Sequence, residues 1–131
     1  MKFLMKVLDP RGLKLWIVIL AMILNLVLTG LFFMAVNSVL VQQGGVFDGL
    51  DTALMLGEFI ITILIGYGIA LLANDRRGPT YGVYGAIVSL IMITVIMYQS
   101  GLLAVLVAAI ALLGGYNGGM LGERTNLNRR K

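Results

Sequence analysis

The sequence predicts an all-α, polytopic membrane protein with four antiparallel transmembrane helices and a short N-terminal interfacial segment. Hydrophobic residues make up 60% of the 131 residues and the mean hydropathy is +0.98, whereas soluble domains are about 45–50% apolar. Four apolar segments are each long enough to cross a hydrocarbon core of about 30 Å as a helix. All ten lysines and arginines fall in alternate connections between these segments or at the termini.

The first element is the N-terminal stretch "MKFLMKVLDPRG", in which lysines alternate with apolar residues before Asp9 and Pro10. We expect a short amphipathic segment on the membrane surface that ends at the proline. A cleaved signal peptide is the rival interpretation. It is disfavoured because the apolar stretch is too long, begins only after Arg11 and Lys14, and lacks a convincing small-x-small cleavage site.

Four predicted spans follow, separated by short polar connections that carry turn residues. The first span is longer than a bilayer requires, so we expect it to tilt or protrude. With little mass outside these spans, the chain is interpreted as a single domain, residues 1–131. The spans lie at about residues 13–41, 52–73, 81–99 and 102–121.

The distribution of basic residues predicts the orientation. The connections "QQGGVFDGLD" and "QSG" have no lysine or arginine, and the first carries Asp48 and Asp51. Because short basic segments stay in the cytoplasm, we expect a multi-pass protein of the cell (inner) membrane with both termini cytoplasmic. Lipid headgroups, and not nucleic acid, are the expected neighbours of the charge. The candidate headgroup residues are Lys2, Lys6, Arg76, Arg77, Arg129, Arg130 and Lys131.

Glycines in the last span form a regular pattern. Gly114, Gly118 and Gly122 are spaced four apart, as are Gly115 and Gly119, so they form two adjacent rows on one helix face, as in a glycine zipper. Such a face permits the close backbone approach on which helix association in lipid depends. We expect it to pack against another helix, either in this chain or in a partner. The further candidate packing residues are Gly66, Gly82, Gly85 and Asn25.

Glu58 is the acidic residue that lies clearly inside a predicted span, about two turns from the outer boundary. A charged side chain at this depth is costly, so it is a functional-site hypothesis by default. Thr94 and Tyr98 are expected at comparable depth, and their hydroxyls could hydrogen-bond a carboxyl group. Three interpretations remain open: a proton- or cation-coupled carboxyl, a contact with a partner or lipid, and a hydrated structural glutamate.

The sequence contains no cysteine and no histidine. Disulfides, Cys/His zinc sites, iron–sulfur clusters and histidine-ligated haem are therefore excluded, and we expect no metal or cofactor. No nucleophile with an adjacent base can be assembled, so an enzyme is not expected.

Two stretches carry a resemblance: "IGYGIALLANDRRGPTYGVYGA" and "GGYNGGMLGERTNLNRR". They resemble the glycine-rich, basic helix ends of uncharacterised small four-helix bacterial membrane proteins, a resemblance that implies the fold and no activity. The chain does not fit the small multidrug resistance exporters, whose essential glutamate is in the first helix. Nor does it fit the dual-topology fluoride channels, because dual topology requires nearly balanced loop charge.

By exclusion, the sequence favours an accessory or structural membrane subunit. We expect it to pack against a larger membrane complex or against its own copies through its glycine faces and long first helix. The alternative is a small transporter or channel in which Glu58 couples to a proton or cation.

Overall fold

A computed structural model describes residues 2–45 and 49–129, and within that part every regular element is helical. The elements are α1 (Lys2–Leu8), α2 (Leu15–Gln42), α3 (Leu50–Ala73), α4 (Gly78–Met97) and α5 (Leu102–Arg129), with a 3₁₀ turn (Tyr98–Ser100) between α4 and α5. The predicted all-α fold is confirmed, and α2 to α5 are long and apolar enough to cross a membrane. Asp48, Arg130 and Lys131 lie outside the described residues.

The last helix differs from its prediction because it extends to Arg129 and not to about residue 121. The additional turns pack against the end of α3. Asn126 donates hydrogen bonds from Nδ2 to the carbonyl oxygens of Ala70 (3.1 Å) and Leu71 (3.3 Å). These contacts stabilise the helical conformation of a polar stretch that the sequence pattern indicates to be a basic tail.

The turn between α3 and α4 is short and well defined. The α3 helix is capped at its C-terminal end by Asn74, which adopts a left-handed conformation at φ 50°, a conformation that asparagine tolerates better than most residues. Asp75 then accepts a hydrogen bond of 2.9 Å from the backbone amide of Arg77. Pro79 lies in the first turn of α4, where the missing amide hydrogen costs nothing.

Hydrogen bonds establish that the helices alternate in direction. The backbone amide of Lys14, before α2, donates to the hydroxyl of Tyr81 near the start of α4 (2.7 Å), and Lys14 Nζ donates to the carbonyl of Ala73 at the end of α3. Asn126 near the end of α5 reaches the same end of α3. We call this end of the bundle the basic end, and the end formed by residues 42–45, 49–50 and 98–102 the opposite end.

The glycines of α5 lie against α3 and α4. A Cβ added at Gly118 would overlap the carbonyl of Ile63 on α3, and one added at Gly119 would overlap the carbonyl of Gly78 on α4. A Cβ at Gly82 would overlap the carbonyl of Gly115. The row Gly114, Gly118 and Gly122 packs on α3, and the row Gly115 and Gly119 packs on α4 and also approaches Gly66 of α3.

Two apolar clusters fill the bundle, one towards each end. The basic-end cluster consists of Ile17, Val18, Ala21, Ile65, Ile69, Ala73 and Tyr81. The opposite-end cluster consists of Leu54, Ile93, Met97, Ala104, Val107, Ala108 and Ala111.

Candidate functional site

A layer of buried polar side chains separates the two apolar clusters. Along α2, α3 and α4, the residues Asn25, Thr29, Glu58 and Ser89 come between residues of the basic-end cluster, or residues packed against it, and those of the opposite-end cluster. Thr62, one turn after Glu58, lies on the basic-end side. Each of these polar residues is at most 2% exposed. We call this set the polar layer: Asn25 and Thr29 on α2, Glu58 and Thr62 on α3, and Ser89 on α4.

Helical spacing explains why the polar layer is continuous. Asn25 and Thr29 are four residues apart, as are Glu58 and Thr62, so each pair projects from one face of its helix. Glu58 comes eight residues after Leu50, the first residue of α3. It therefore lies about 12 Å along the helix axis from the opposite end.

Hydrogen bonds link the side chains of α2 and α4. Asn25 donates from Nδ2 to the carbonyl oxygen of Ala21 (2.8 Å), which leaves its Oδ1 to accept from the hydroxyl of Ser89 (3.0 Å). The hydroxyls of Ser89 and Thr29 are 2.8 Å apart. Because a hydroxyl has a single hydrogen and that of Ser89 is used on Asn25, Thr29 is the donor in this pair.

The carboxyl group of Glu58 completes no hydrogen bond with any described residue. Both of its oxygens are buried and unpartnered, although the hydroxyl of Thr29 is close enough to act on it. Thr62 does not serve the carboxyl either, because its hydroxyl donates to the backbone carbonyl of Glu58 (2.8 Å). A buried polar group without a partner is rare in proteins and requires an explanation.

The available hydrogen-bond donors indicate whether the protonated or the ionised form of the Glu58 carboxyl fits the polar layer. Because the hydroxyl of Thr29 donates its hydrogen to Ser89, its lone pairs can only accept a further hydrogen bond. A protonated Glu58 could donate to Thr29 and extend the chain Glu58–Thr29–Ser89–Asn25 without disturbing it. An ionised Glu58 would require Thr29 to rotate away from Ser89, and its burial without a partner would cost several kcal/mol.

Thr94 and Tyr98 do not join this site, which corrects the expected grouping with Glu58. Thr94 is exposed and its hydroxyl donates to the carbonyl of Leu90 on its own helix (2.8 Å). The Tyr98 side chain is 70% exposed, and its hydroxyl accepts from Gln99. The face of α4 that is buried in the polar layer is the one that carries Ser89, and similar depth alone could not distinguish the two faces.

A cavity approaches the polar layer from the opposite end. It has a volume of about 300 Å³, and its lining includes Asn37 and Ser100 as well as the apolar side chains of Phe33, Leu54 and Met97. Leu54 precedes Glu58 by four residues and so lies one turn closer to the opposite end, on the same face of α3. Leu54 and Met97 both line this cavity and belong to the opposite-end cluster, and we call this apolar pair the partition.

The basic end is closed by a hydrogen-bonded tyrosine. Tyr81 is fully buried, and its hydroxyl donates to Asp75 Oδ2 (2.8 Å) while it accepts from the backbone amide of Lys14 (2.7 Å). These two bonds connect the start of α2, the α3–α4 turn and α4. Between this closure and the polar layer lies the rest of the basic-end cluster.

Two of the glycines expected to pack against other helices have close neighbours. Gly85 on α4 lies against Asn25, because a Cβ at Gly85 would come within 2.8 Å of Asn25 Nδ2. Gly66 on α3 lies against α5, since its Cβ would come within 2.7 Å of the Gly115 carbonyl oxygen. Sequence reasoning did not group Thr29 or Ser89 with Glu58, although each is a small polar residue within an apolar run.

The described headgroup candidates occupy the basic end. Arg77 is held by the chain itself, because its guanidinium donates to the carbonyl oxygens of Lys6, Asp9 and Arg11. Lys6 and Arg76 line a cavity on this end. Lys2 lies on α1 and Arg129 is the last residue of α5.

Residues 2–45 and 49–129 contain no group of three or more acidic, cysteine or histidine side chains that could hold a metal ion. No protein-family model, curated protein or solved structure matches the chain. The chemistry of the polar layer is therefore the basis for assigning a function.

Proposed function

We propose that the chain is a small membrane transporter or channel in which Glu58 binds and releases a proton. The observation that carries this proposal is the fully buried, unpartnered carboxyl of Glu58 in a polar layer between two apolar clusters. Ionisable groups inside a membrane are expensive and are commonly functional. No basic side chain of the described helices hydrogen-bonds this carboxyl, so a structural ion pair does not account for it.

A proton fits the polar layer better than a larger cation does. Binding a proton requires only the carboxyl oxygen, and the resulting O–H finds an acceptor in Thr29. A metal cation prefers several oxygen ligands, whereas the polar layer offers a single carboxyl group, and residues 2–45 and 49–129 hold no group of three or more acidic, cysteine or histidine side chains that could bind a metal ion.

The two apolar clusters act as barriers in this proposal. With both closed, the Glu58 carboxyl is isolated from either side. Opening of the partition at Leu54 and Met97 would connect it to the cavity at the opposite end. Opening on the other side would require separation of the basic-end cluster and of the Tyr81 bonds. Transport then follows from alternate opening of the two barriers.

The orientation remains part of the proposal. The lysines and arginines of the described residues lie at the basic end or in α1 and the connection after it, and short basic segments are retained in the cytoplasm. We therefore propose an inner-membrane protein whose two termini are cytoplasmic, with the cavity beside Leu54 opening to the other side.

Transport of protons into liposomes tests the proposed function. The purified chain is reconstituted with an internal pH-sensitive dye, and a potassium diffusion potential drives uptake. We expect uptake that is lost in Glu58→Gln and retained in Thr94→Val, a control whose hydroxyl is exposed and bonded within its own helix. Equal uptake by the wild type and Glu58→Gln would contradict the proposal.

An accessory subunit is the second candidate, and the exposure of α2 favours it. Only 28% of the most apolar window of α2 is buried, compared with 39–44% for the other three long helices. Since the α5 glycines are buried against α3 and α4, a partner would meet α2 instead. Ile23, Val27 and Met34 are exposed there. Purification in mild detergent followed by mass spectrometry tests this candidate. If it is correct, a second subunit co-purifies with the wild type and is lost from the Ile23→Trp and Met34→Trp variants.

A further inference from the structure

A second cavity, lined by charged as well as apolar side chains, lies at the basic end, separate from the polar layer. It has a volume of about 240 Å³ and lies between α1, the turn before α4, the first residues of α4, and α5. Its lining combines three kinds of group: the cations Lys6, Arg76 and Arg77, the carboxylate Glu123, and the hydroxyl-bearing Thr80 and Tyr116.

Two of the three cations remain available to a ligand. The Arg77 guanidinium is occupied by the backbone carbonyls around the end of α1. In contrast, Lys6 and Arg76 donate no side-chain hydrogen bond within residues 2–45 and 49–129, and they act on Glu123 only through space. The cavity therefore combines two cations without a side-chain hydrogen-bond partner among the described residues, Lys6 and Arg76, with the carboxylate of Glu123 in one lining.

Thr80 provides an independent indication of a ligand. The residue is only 4% exposed, yet it lines the cavity, and its hydroxyl makes no hydrogen bond within the described ranges. A threonine inside a helix commonly donates its hydroxyl to the carbonyl four residues earlier, as Thr62 and Thr94 do, but Thr80, the third residue of α4, makes no such bond to any described residue. The free hydroxyl of Thr80 is a donor facing the cavity.

The surroundings of the cavity suit a lipid. Its wall includes Phe3 of α1 and Tyr116 of α5, whose rings meet edge to face with centroids 5.9 Å apart. On α1 the side chains of Leu4, Met5 and Leu8 are about half exposed or more, as in a helix that dips its apolar side into the membrane interface. Acyl chains can therefore lie beside α1 while a headgroup enters the cavity.

We propose that this cavity binds the headgroup of a phospholipid that carries a primary ammonium, of the phosphatidylethanolamine class. Lys6, Arg76 and the Thr80 hydroxyl hold the phosphate, and Glu123 accepts hydrogen bonds from the ammonium. A purely anionic headgroup would place a negative group against Glu123, and a trimethylated ammonium has no hydrogen to donate to that carboxylate. The paired charges of the cavity thus match the paired charges of this headgroup.

Native mass spectrometry of the full chain with added lipids tests the proposal. The detergent-solubilised protein is titrated with phosphatidylethanolamine, phosphatidylglycerol and phosphatidylcholine of matched acyl chains. The test variants are Lys6→Gln/Arg76→Gln and Glu123→Gln. The control is Arg124→Gln, which removes an exposed positive charge next to Glu123 on α5 but does not line the cavity. Circular dichroism confirms that each variant keeps its helix content.

We expect the wild type to retain phosphatidylethanolamine in preference to the other two lipids. Lys6→Gln/Arg76→Gln should weaken that binding about tenfold or more, because a hydrogen bond to a charged group contributes about 1.5–3 kcal/mol. Glu123→Gln should abolish the preference over phosphatidylglycerol, and Arg124→Gln should behave as the wild type. Equal retention of the three lipids, or an equal effect of Arg124→Gln and the double variant, would overturn the proposal. Displacement of the lipid by an equimolar amount of soluble phosphoethanolamine would overturn the assignment to a membrane lipid.

Discussion

Ser89 on α4 donates a hydrogen bond of 3.0 Å to the side-chain oxygen of Asn25 on α2. This bond determines which groups donate in the neighbouring hydrogen bonds. Because the hydroxyl hydrogen of Ser89 is used on Asn25, Ser89 can only accept a hydrogen bond from Thr29. Thr29 is then left with acceptor lone pairs on the side of Glu58. The α2–α4 contact thereby determines what form of carboxyl the polar layer accommodates.

Replacement of Ser89 by alanine should destabilise the bundle by about 1–3 kcal/mol, because the buried Asn25 oxygen would lose its donor. Thermal unfolding in detergent, followed by circular dichroism, measures this loss. The control is Thr94→Ala, which removes an exposed hydroxyl bonded within its own helix, and we expect a change within about 0.5 kcal/mol. Equal melting temperatures for the two variants would argue against a structural role for the Ser89 bond.

Gly118→Ala should destabilise the packing of α5 on α3, because the new Cβ would overlap the backbone carbonyl of Ile63. Overpacking of this kind costs about 1–3 kcal/mol. Gly68→Ala is the matched control, since a Cβ there meets nothing within 4 Å. That control should be neutral or stabilising by up to about 1 kcal/mol through helix propensity. Unfolding in denaturant distinguishes them, and an equally stable Gly118→Ala would refute the close approach.

Tyr81→Phe should weaken the closure of the basic end, since the change removes one partner from both Asp75 and the Lys14 amide. We expect a loss of about 1–3 kcal/mol in the free energy of unfolding and faster amide hydrogen exchange at the start of α2. Tyr98→Phe serves as the control because that side chain is exposed. If Tyr81→Phe exchanged its amides as slowly as the wild type, the two bonds would not hold this end closed.

The orientation can be tested directly because the chain has no cysteine. Gln43→Cys places a thiol at the opposite end and Asn128→Cys places one at the basic end, both at exposed positions. An impermeant maleimide applied to intact cells should label the first variant. The second should react only after the membrane is permeabilised. Labelling of both in intact cells, or the reverse pattern, would contradict cytoplasmic termini.

Hydropathy and charge patterns were sufficient to predict the all-α fold with four membrane-length helices, because lipid requires each crossing segment to be apolar and internally hydrogen-bonded. Helical spacing also predicted the two glycine rows of α5, but not which helices would cover them. The partners of Glu58 could not be predicted, because Thr29, Ser89 and Thr94 are all compatible with its depth. Only the rotation of each helix about its axis brings Thr29 and Ser89 inwards and leaves Thr94 outside.

The most direct test of a proton-binding Glu58 is infrared spectroscopy of the reconstituted chain with ¹³C-labelled glutamate carboxyls. The sequence contains two glutamates, Glu58 and Glu123, so the Glu123→Gln variant isolates the signal of Glu58. At a pH at which exposed carboxyls are ionised, we predict the carbonyl stretching band of a protonated carboxylic acid, and its disappearance when Glu58→Gln is added. A spectrum that contains only carboxylate bands under the same conditions would contradict the account.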